Sequence, residues 1–201
     1  MVKMPPFITN QYYHIYNRGN NKEPIFFRES NYIFFLNKFK YYLSGNLTLL
    51  CFCLLPNHFH LLVKVKDRGS DDISVKISNL LRRFFISYSQ AINKQEERVG
   101  SLFQKPFKRK IIRNEEQLLL TVYYIHFNSV KHGIDESYTD YKWSSYPSIV
   151  NQVGQFLNIE NCIRMFGGIE TFIDMHRDAF INKKEIRMDA IARSDGILNK
   201  K

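Results

Sequence analysis

Apolar positions run almost unbroken from residue 47 to residue 65, apart from a break at Pro56-Asn57. After the break they alternate with polar ones. Phe59, Leu61, Val63 and Val65 fall on one side of an extended chain; His58, His60, Leu62, Lys64 and Lys66 fall on the other, because successive strand side chains point to opposite faces. The pattern predicts two strands joined by a turn, the second with a core face and a face of imidazoles followed by ammonium groups. Residues 12–17 read as an earlier strand, closed by the turn chemistry of Arg18-Gly19-Asn20-Asn21. Residues 30–43 place Ile33, Leu36, Phe39 and Leu43 at helical spacing, with Lys38 and Lys40 outside, and Ser44-Gly45-Asn46 stops that helix.

Further along, a polar loop at 67–72 leads into a helix expected from about residue 73 to 94, with Ile77, Leu80, Leu81, Phe84 and Tyr88 on its buried side. Residues 107–113 read as a fourth strand. Asn114 then caps another helix, with Glu115 and Glu116 in its first turn and Gly133 past its end. The order β-α-β-β-α-β followed by a helix predicts an α+β, ferredoxin-like fold: an antiparallel sheet, two helices behind it and one open face. RNA-recognition domains share that layout, so the layout alone does not fix function. After Gly133 the composition shifts. Residues 134–148 read as irregular and Tyr/Ser-rich, 158–166 and 168–181 as short helices, and 194–201 as frayed. The expected organisation is a catalytic unit over 1–133 and a C-terminal extension over 134–201 that packs on it or flanks it.

Composition narrows the partners. The 201 residues carry a formal charge of +10 and a pI near 9.5, which points to a polyanion. No apolar run approaches the length of a bilayer span, and residues 1–13 lack a charged-then-apolar leader pattern. Nucleic acid is therefore the expected partner, no membrane is involved, and the expected location is cytoplasmic. Cys51, Cys53 and Cys162 are an odd set with no metal-knuckle spacing and read as buried thiols of a reducing compartment.

A His-x-His pair on a strand puts both imidazoles on one face, within reach of a single metal ion. Taken alone, it is most simply a pair of surface or hydrogen-bonded histidines beside lysines. The helix after Asn114 adds a second element: Tyr124 and Asn128 stand four residues apart, on one helical face. Helix propensity gives no reason for an asparagine there. Phosphodiester cleavage needs a cationic clamp on the scissile phosphate, which His58, His60 and an amide oxygen of Asn128 are suited to hold. A tyrosine nucleophile stores the bond energy in a covalent link, so the cut can be resealed without ATP.

These residues carry a family resemblance. His58-Phe59-His60, within Leu55-Pro56-Asn57-His58-Phe59-His60-Leu61-Leu62-Val63, resembles the HUH motif (His, bulky hydrophobe, His) of single-tyrosine transposases. Tyr124-Ile125-His126-Phe127-Asn128-Ser129-Val130-Lys131-His132-Gly133 resembles their tyrosine helix. Three further stretches match: Tyr13 to Gly19, Gly100 to Gln104 with Phe107-Lys108, and Trp143-Ser144-Ser145-Tyr146. Together they cover roughly residues 12–150, in order. The chain is most similar to the REP-associated tyrosine transposases, relatives of insertion-sequence transposases. The resemblance implies a ferredoxin-like fold, Mg²⁺ or Mn²⁺, a 5′-phosphotyrosine intermediate, and recognition of single-stranded DNA hairpins formed by palindromic repeats. It implies His58 and His60 as metal ligands, Tyr124 as nucleophile and Asn128 as third ligand. Two features depart from or complicate the pattern. Ser129 stands where the family commonly has proline, and Tyr123 beside Tyr124 is an alternative nucleophile, although Asn128 at i+4 favours Tyr124. Two imidazoles and an amide suit a borderline ion such as Mn²⁺ better than Mg²⁺. Monomer and homodimer both remain open, as does a non-catalytic RNA-recognition-like binder. A plasmid-type relaxase fits less well, since those chains are usually longer and often use a third histidine.

The stretch from Arg82 to Arg113 is rich in cations. Arg82, Arg83, Lys105, Lys108, Arg109 and Lys110 are the expected phosphate contacts, with Arg18 and Asn20 in the first turn as weaker candidates. Phe103 and Phe107 suit base stacking, although core packing explains them better.

Overall fold

The computed structural model describes residues 4–69 and 72–181. Four strands, β1 (Tyr12–Arg18), β2 (Leu47–Leu55), β3 (His58–Val65) and β4 (Lys108–Ile112), form one sheet in the order β2-β3-β1-β4, every neighbouring pair antiparallel. Helices α1 (Glu29–Leu43) and α2 (Ile73–Gln95) connect them in the ferredoxin-like way. The expected α+β fold is the observed one, but the sheet face expected to be open is covered by the helix from Glu115 and the residues after Gly133, whose aromatic side chains close over it.

The alternation along β3 is resolved as the sequence predicts. Phe59, Leu61, Val63 and Val65 join Phe35, Leu36 and Phe39 of α1 and Ile77, Leu81, Phe84 and Tyr88 of α2 in one core cluster. Leu62, on the other face, belongs to a second cluster with Cys51, Cys53 and Leu55 of β2. That cluster is closed by α3 (Glu115–His126) and by residues beyond Gly133, including Tyr138, Tyr141, Tyr146 and Phe172. Layers therefore lie on both sides of the sheet, and α3 packs across β2 and β3. The three cysteines are free and buried.

Asn114 caps α3 as its sequence position predicts: Oδ1 accepts from the Gln117 N–H at 2.8 Å, and Gln117 Oε1 accepts from the Arg113 N–H at 2.8 Å. After Phe127 a short turn, α4 (Asn128–Lys131), continues the run. It ends at Gly133, whose φ of +62° is the left-handed conformation that glycine adopts at little cost.

The segment predicted to be irregular contains a helix, α5 (Ser145–Val150). The Ser144 hydroxyl caps it by accepting from the Tyr146 N–H, and Pro147 falls in its first turn, where a missing N–H costs little. A helix of six residues is too short to show a period. The same segment covers the free edge of β2. The Leu54 N–H donates to the Trp143 carbonyl at 2.9 Å, and the Tyr141 hydroxyl donates to the Leu54 carbonyl at 2.7 Å. Helices α6 (Ile159–Met165) and α7 (Ile169–Ile181) follow. The expected fraying of 194–201 lies outside the described residues, as does the far end of the 134–201 extension. Among the described residues, no helix is long and apolar enough to cross a membrane.

Candidate active site

β1 and β3 set one wall of the site. Their register places Arg18 opposite His58, Tyr16 opposite His60 and His14 opposite Leu62. Directly opposed residues share a sheet face, so His14, Tyr16, Arg18, His58 and His60 all look toward the α3 side. Gly19 makes the turn after Arg18 possible, because a Cβ there would run into the Glu23 carbonyl oxygen. The rings of Tyr16, His14 and His60 stack, with interplanar angles of 22° to 29°.

Hydrogen bonds outside the site fix the orientation of each predicted ligand. Asn57 Nδ2 donates to the Lys22 carbonyl at 3.0 Å, which turns Oδ1 toward His58 Nδ1 at 2.7 Å. An amide oxygen can only accept, so the His58 proton sits on Nδ1 and Nε2 carries the lone pair. His60 Nδ1 lies 2.8 Å from His14 Nε2. When His60 is the donor, its Nε2 is likewise left as a lone pair. Asn128 Nδ2 donates to the Tyr124 carbonyl at 2.6 Å, leaving Oδ1 as the inward atom.

Three buried atoms, His58 Nε2, His60 Nε2 and Asn128 Oδ1, have no hydrogen-bond partner. Buried polar atoms are normally paired, and a cation held between these three would satisfy them. The donor set fits a divalent ion. Among the described residues, no three His, Cys, Asp or Glu side chains gather as a metal site of their own; the third donor atom beside the two imidazoles is the Asn128 amide oxygen.

Burial holds both histidines well below their usual titration range. For His58 the charges of His132 and Arg18 push the same way, and a polar contact with the Asn128 side chain, short of hydrogen-bond geometry, opposes them; for His60 the neighbouring His14, His58, His132 and Lys131 add to burial. Both rings are thus held neutral near pH 7, the form in which an imidazole can ligate a metal.

Tyr124 completes the group. It is fully buried on α3, its ring centroid 5.3 Å from that of His60 and 5.8 Å from that of His14. Lys131 Nζ lies 5.3 Å from the same ring's centroid. Tyr123 points elsewhere, packing on Phe127, Phe166 and His176, and burial pushes its hydroxyl up to about 12. The fold therefore brings His58, His60, Tyr124 and Asn128 together and sends Tyr123 into the C-terminal core.

Two residues of this site go unnoticed in the sequence. His14 shares a face with His60 only through the β1–β3 register, which no local pattern reveals. His132 lies one helical turn beyond Asn128, its ring centroid 4.6 Å from that of His58, with Nε2 buried and unpartnered; burial and the charges of Lys131 and Arg18 lower it to about 4. The spacing Tyr124, Asn128, His132 was there to be read as one helical face.

The sheet divides the predicted phosphate contacts. Lys108 and Lys110 oppose Tyr16 and His14 in register, on the face of the histidines, and Lys108 Nζ lies 5.9 Å from the Tyr16 ring centroid. Arg109 faces α2, where its Nε donates to the Pro5 carbonyl at 2.6 Å and its guanidinium covers the Phe7 ring at 4.1 Å. Arg82 and Arg83 are exposed on α2, in the layer behind the sheet. Lys105 is exposed in the loop before β4, and Asn20 is exposed with its backbone N–H donating to the Leu102 carbonyl. Arg18 is half-buried, with Nε unpartnered beside the histidines. Phe103 is buried against Phe59, Phe85 and Tyr88, and Phe107 rests on Phe85.

Comparison with known proteins bears on the fold and the sequence. No family model matches the chain. A Haemophilus influenzae protein described as a REP-associated tyrosine transposase is 30% identical over 99 residues, 47% of this chain and 56% of that protein. The chain thus spans little more than half the length of that curated relative. A solved structure of a REP-associated tyrosine transposase bound to a REP hairpin superposes with a TM-score of 0.59, over 79% of this chain and 88% of that one, at 19% identity. At that identity the match speaks for the fold. In sequence and in fold, the chain is similar to the REP-associated tyrosine transposases.

Proposed function

We propose that this chain binds hairpin-forming single-stranded DNA and cuts and rejoins it through a covalent link to Tyr124. One observation carries the reading: a buried tyrosine on α3 faces a strand that presents two neutral histidines, and their inward nitrogens, like the Asn128 oxygen, lack partners. A divalent ion, Mg²⁺ or Mn²⁺, held by His58, His60 and Asn128 would neutralise charge on the scissile phosphate.

The rest falls to the chain's own groups. The Tyr124 oxygen attacks phosphorus and gives up its proton. The bond from phosphorus to the 3′ oxygen of the neighbouring nucleotide breaks, and that oxygen leaves and is protonated to a 3′-hydroxyl. A 5′-phosphotyrosine remains. Attack by a 3′-hydroxyl on the same phosphorus reverses the step and releases Tyr124. Arg18, beside His58, and Lys131, over the Tyr124 ring, bring positive charge to the place where the phosphate must sit. Lys108 and Lys110 extend that charge along the same sheet face, a path for the strand leading away from the cut. The relative whose solved structure holds a REP hairpin supports a hairpin as the ligand, and the net charge supports a polyanion in general.

The reading is tested by incubating the full chain with 3′-end-labelled single-stranded hairpin DNA and Mn²⁺, then separating products under denaturing conditions. A labelled band shifted by the mass of the protein is expected from the native chain and not from Tyr124→Phe. Tight hairpin binding with no adduct under any metal condition would instead favour a binding module.

A further inference from the structure

Behind the tyrosine helix lies a second pair of histidines that the chemistry above does not use. His176 of α7 and His126 of α3 are both fully buried. His176 Nδ1 lies 2.7 Å from the Phe172 carbonyl, and His176 Nε2 lies 2.9 Å from His126 Nδ1. His126 Nε2 lies 2.8 Å from Ser145 Oγ, and Ser145 Oγ accepts from the Phe52 N–H at 2.8 Å. The proton order is fixed by the ends. A carbonyl only accepts, so His176 carries its proton on Nδ1 and accepts at Nε2. His126 then donates from Nδ1 and accepts at Nε2 from the Ser145 hydroxyl, whose single proton also faces the Phe52 carbonyl at the longer distance of 3.2 Å. The run of hydrogen bonds leads from α7 through α3 to Ser145, which meets both the N–H and the carbonyl of Phe52 in β2.

The placement gives this chain a purpose that apolar packing would not serve. His126 lies two residues after Tyr124 and two before Asn128, about 200° around the helix from each. Tyr124 and Asn128 therefore face the histidine strand while His126 is held from behind. The far end of the chain is Phe52, which pairs with Leu61 in register, one residue from the Cys53–His60 pair. Directional bonds fix both the rotation and the height of a helix, whereas an apolar contact tolerates sliding.

We propose that His126 and His176 are positioning residues, which lock the end of α3 so that Tyr124 and Asn128 are presented to His58 and His60, and that α7 is thereby part of the catalytic unit. The proposal rests on the reading of Tyr124 as nucleophile, and its test separates the two.

The variants are made in the full chain. His176→Leu removes the acceptor for His126, while His176→Gln restores an acceptor for His126 and a donor for Phe172. With His176→Leu, the single-turnover rate of adduct formation should fall about 100-fold, the loss typical of a misplaced reacting group. Hairpin Kd and the melting transition's cooperativity should stay close to the native values, and His176→Gln should recover most of the rate. Amide exchange at residues 123–128 is followed in parallel: faster in His176→Leu, restored in His176→Gln. If neither variant alters rate or exchange, or if both lose rate and hairpin affinity together in step with unfolding, the positioning role is wrong. If the native chain forms no adduct, the nucleophile reading fails instead, and the exchange at 123–128 alone decides the proposal: unchanged exchange in His176→Leu overturns it.

Discussion

Nε2 of His14 lies 2.8 Å from Nδ1 of His60, although 46 residues separate them in sequence and both side chains are buried. If His60 holds the proposed metal, the contact makes His14 its outer partner, the role usually filled by a carboxylate or a carbonyl. A neutral imidazole fills it only as the Nδ1–H tautomer, accepting at Nε2.

The first prediction follows from that tautomer. His14→Leu should weaken Mn²⁺ binding about 10- to 100-fold, the usual cost of losing such a partner, while His14→Gln, which can still accept, should lose less. Isothermal titration of both variants measures this. Equal affinities for the native chain and His14→Leu would mean that His60 is oriented by something else.

Stability should depend on pH in a definite direction. Four buried histidines, His58, His60, His126 and His176, are held well below their usual range, His176 at about 3. In the unfolded chain they take up protons near pH 6.5; in the folded chain they do not. The unfolded state thus binds more protons once pH drops below that value, and stability falls. The loss for His176 continues toward pH 3, at most about 1.4 kcal/mol per pH unit. Denaturant midpoints should be flat from pH 8 to 7 and decline steadily below about 6.5. A midpoint unchanged between pH 7 and 5 would show that these rings are not buried as neutral groups.

Hairpin affinity should separate the cations by face. Lys108→Ala and Lys110→Ala should each weaken binding and reduce the salt slope by about 0.7, as loss of one phosphate contact on a single strand does. Arg82→Ala and Arg83→Ala, on the far side of the sheet, should have smaller effects. Arg109→Ala should act mainly on stability, because its guanidinium ties α2 and the N-terminal segment together. Titrations at several salt concentrations read all five. Larger losses from Arg82 and Arg83 than from Lys108 and Lys110 would put the DNA on the helical layer.

Much of this was legible in the sequence, for reasons that differ by element. The split of β3 between Phe59/Leu61/Val63 and His58/His60 is a period-two pattern, complete within eight residues, so the strand and its functional face could be read together. The cap at Asn114 and the i, i+4 pairing of Tyr124 with Asn128 are equally local. The basic strand held its own answer: alternation puts Lys108 and Lys110 on one face and Arg109 on the other, though net charge alone does not divide them. Other features had no local trace. His14 meets His60 through strand register, and His176 meets His126 across 50 residues. The helix α5 is shorter than two turns and is set by the Ser144 cap and its seat on β2. Long-range pairings of this kind are decided by packing, and a single sequence does not display them.

The central claim is that Tyr124, rather than Tyr123, becomes linked to DNA. The native chain is trapped with hairpin DNA and Mn²⁺ and digested with nuclease and protease, and the modified residue is located by mass spectrometry. The phosphate-linked nucleotide should map to Tyr124, with Tyr123→Phe still forming the adduct and Tyr124→Phe forming none. A nucleotide on Tyr123, or an adduct that survives Tyr124→Phe, would contradict this account.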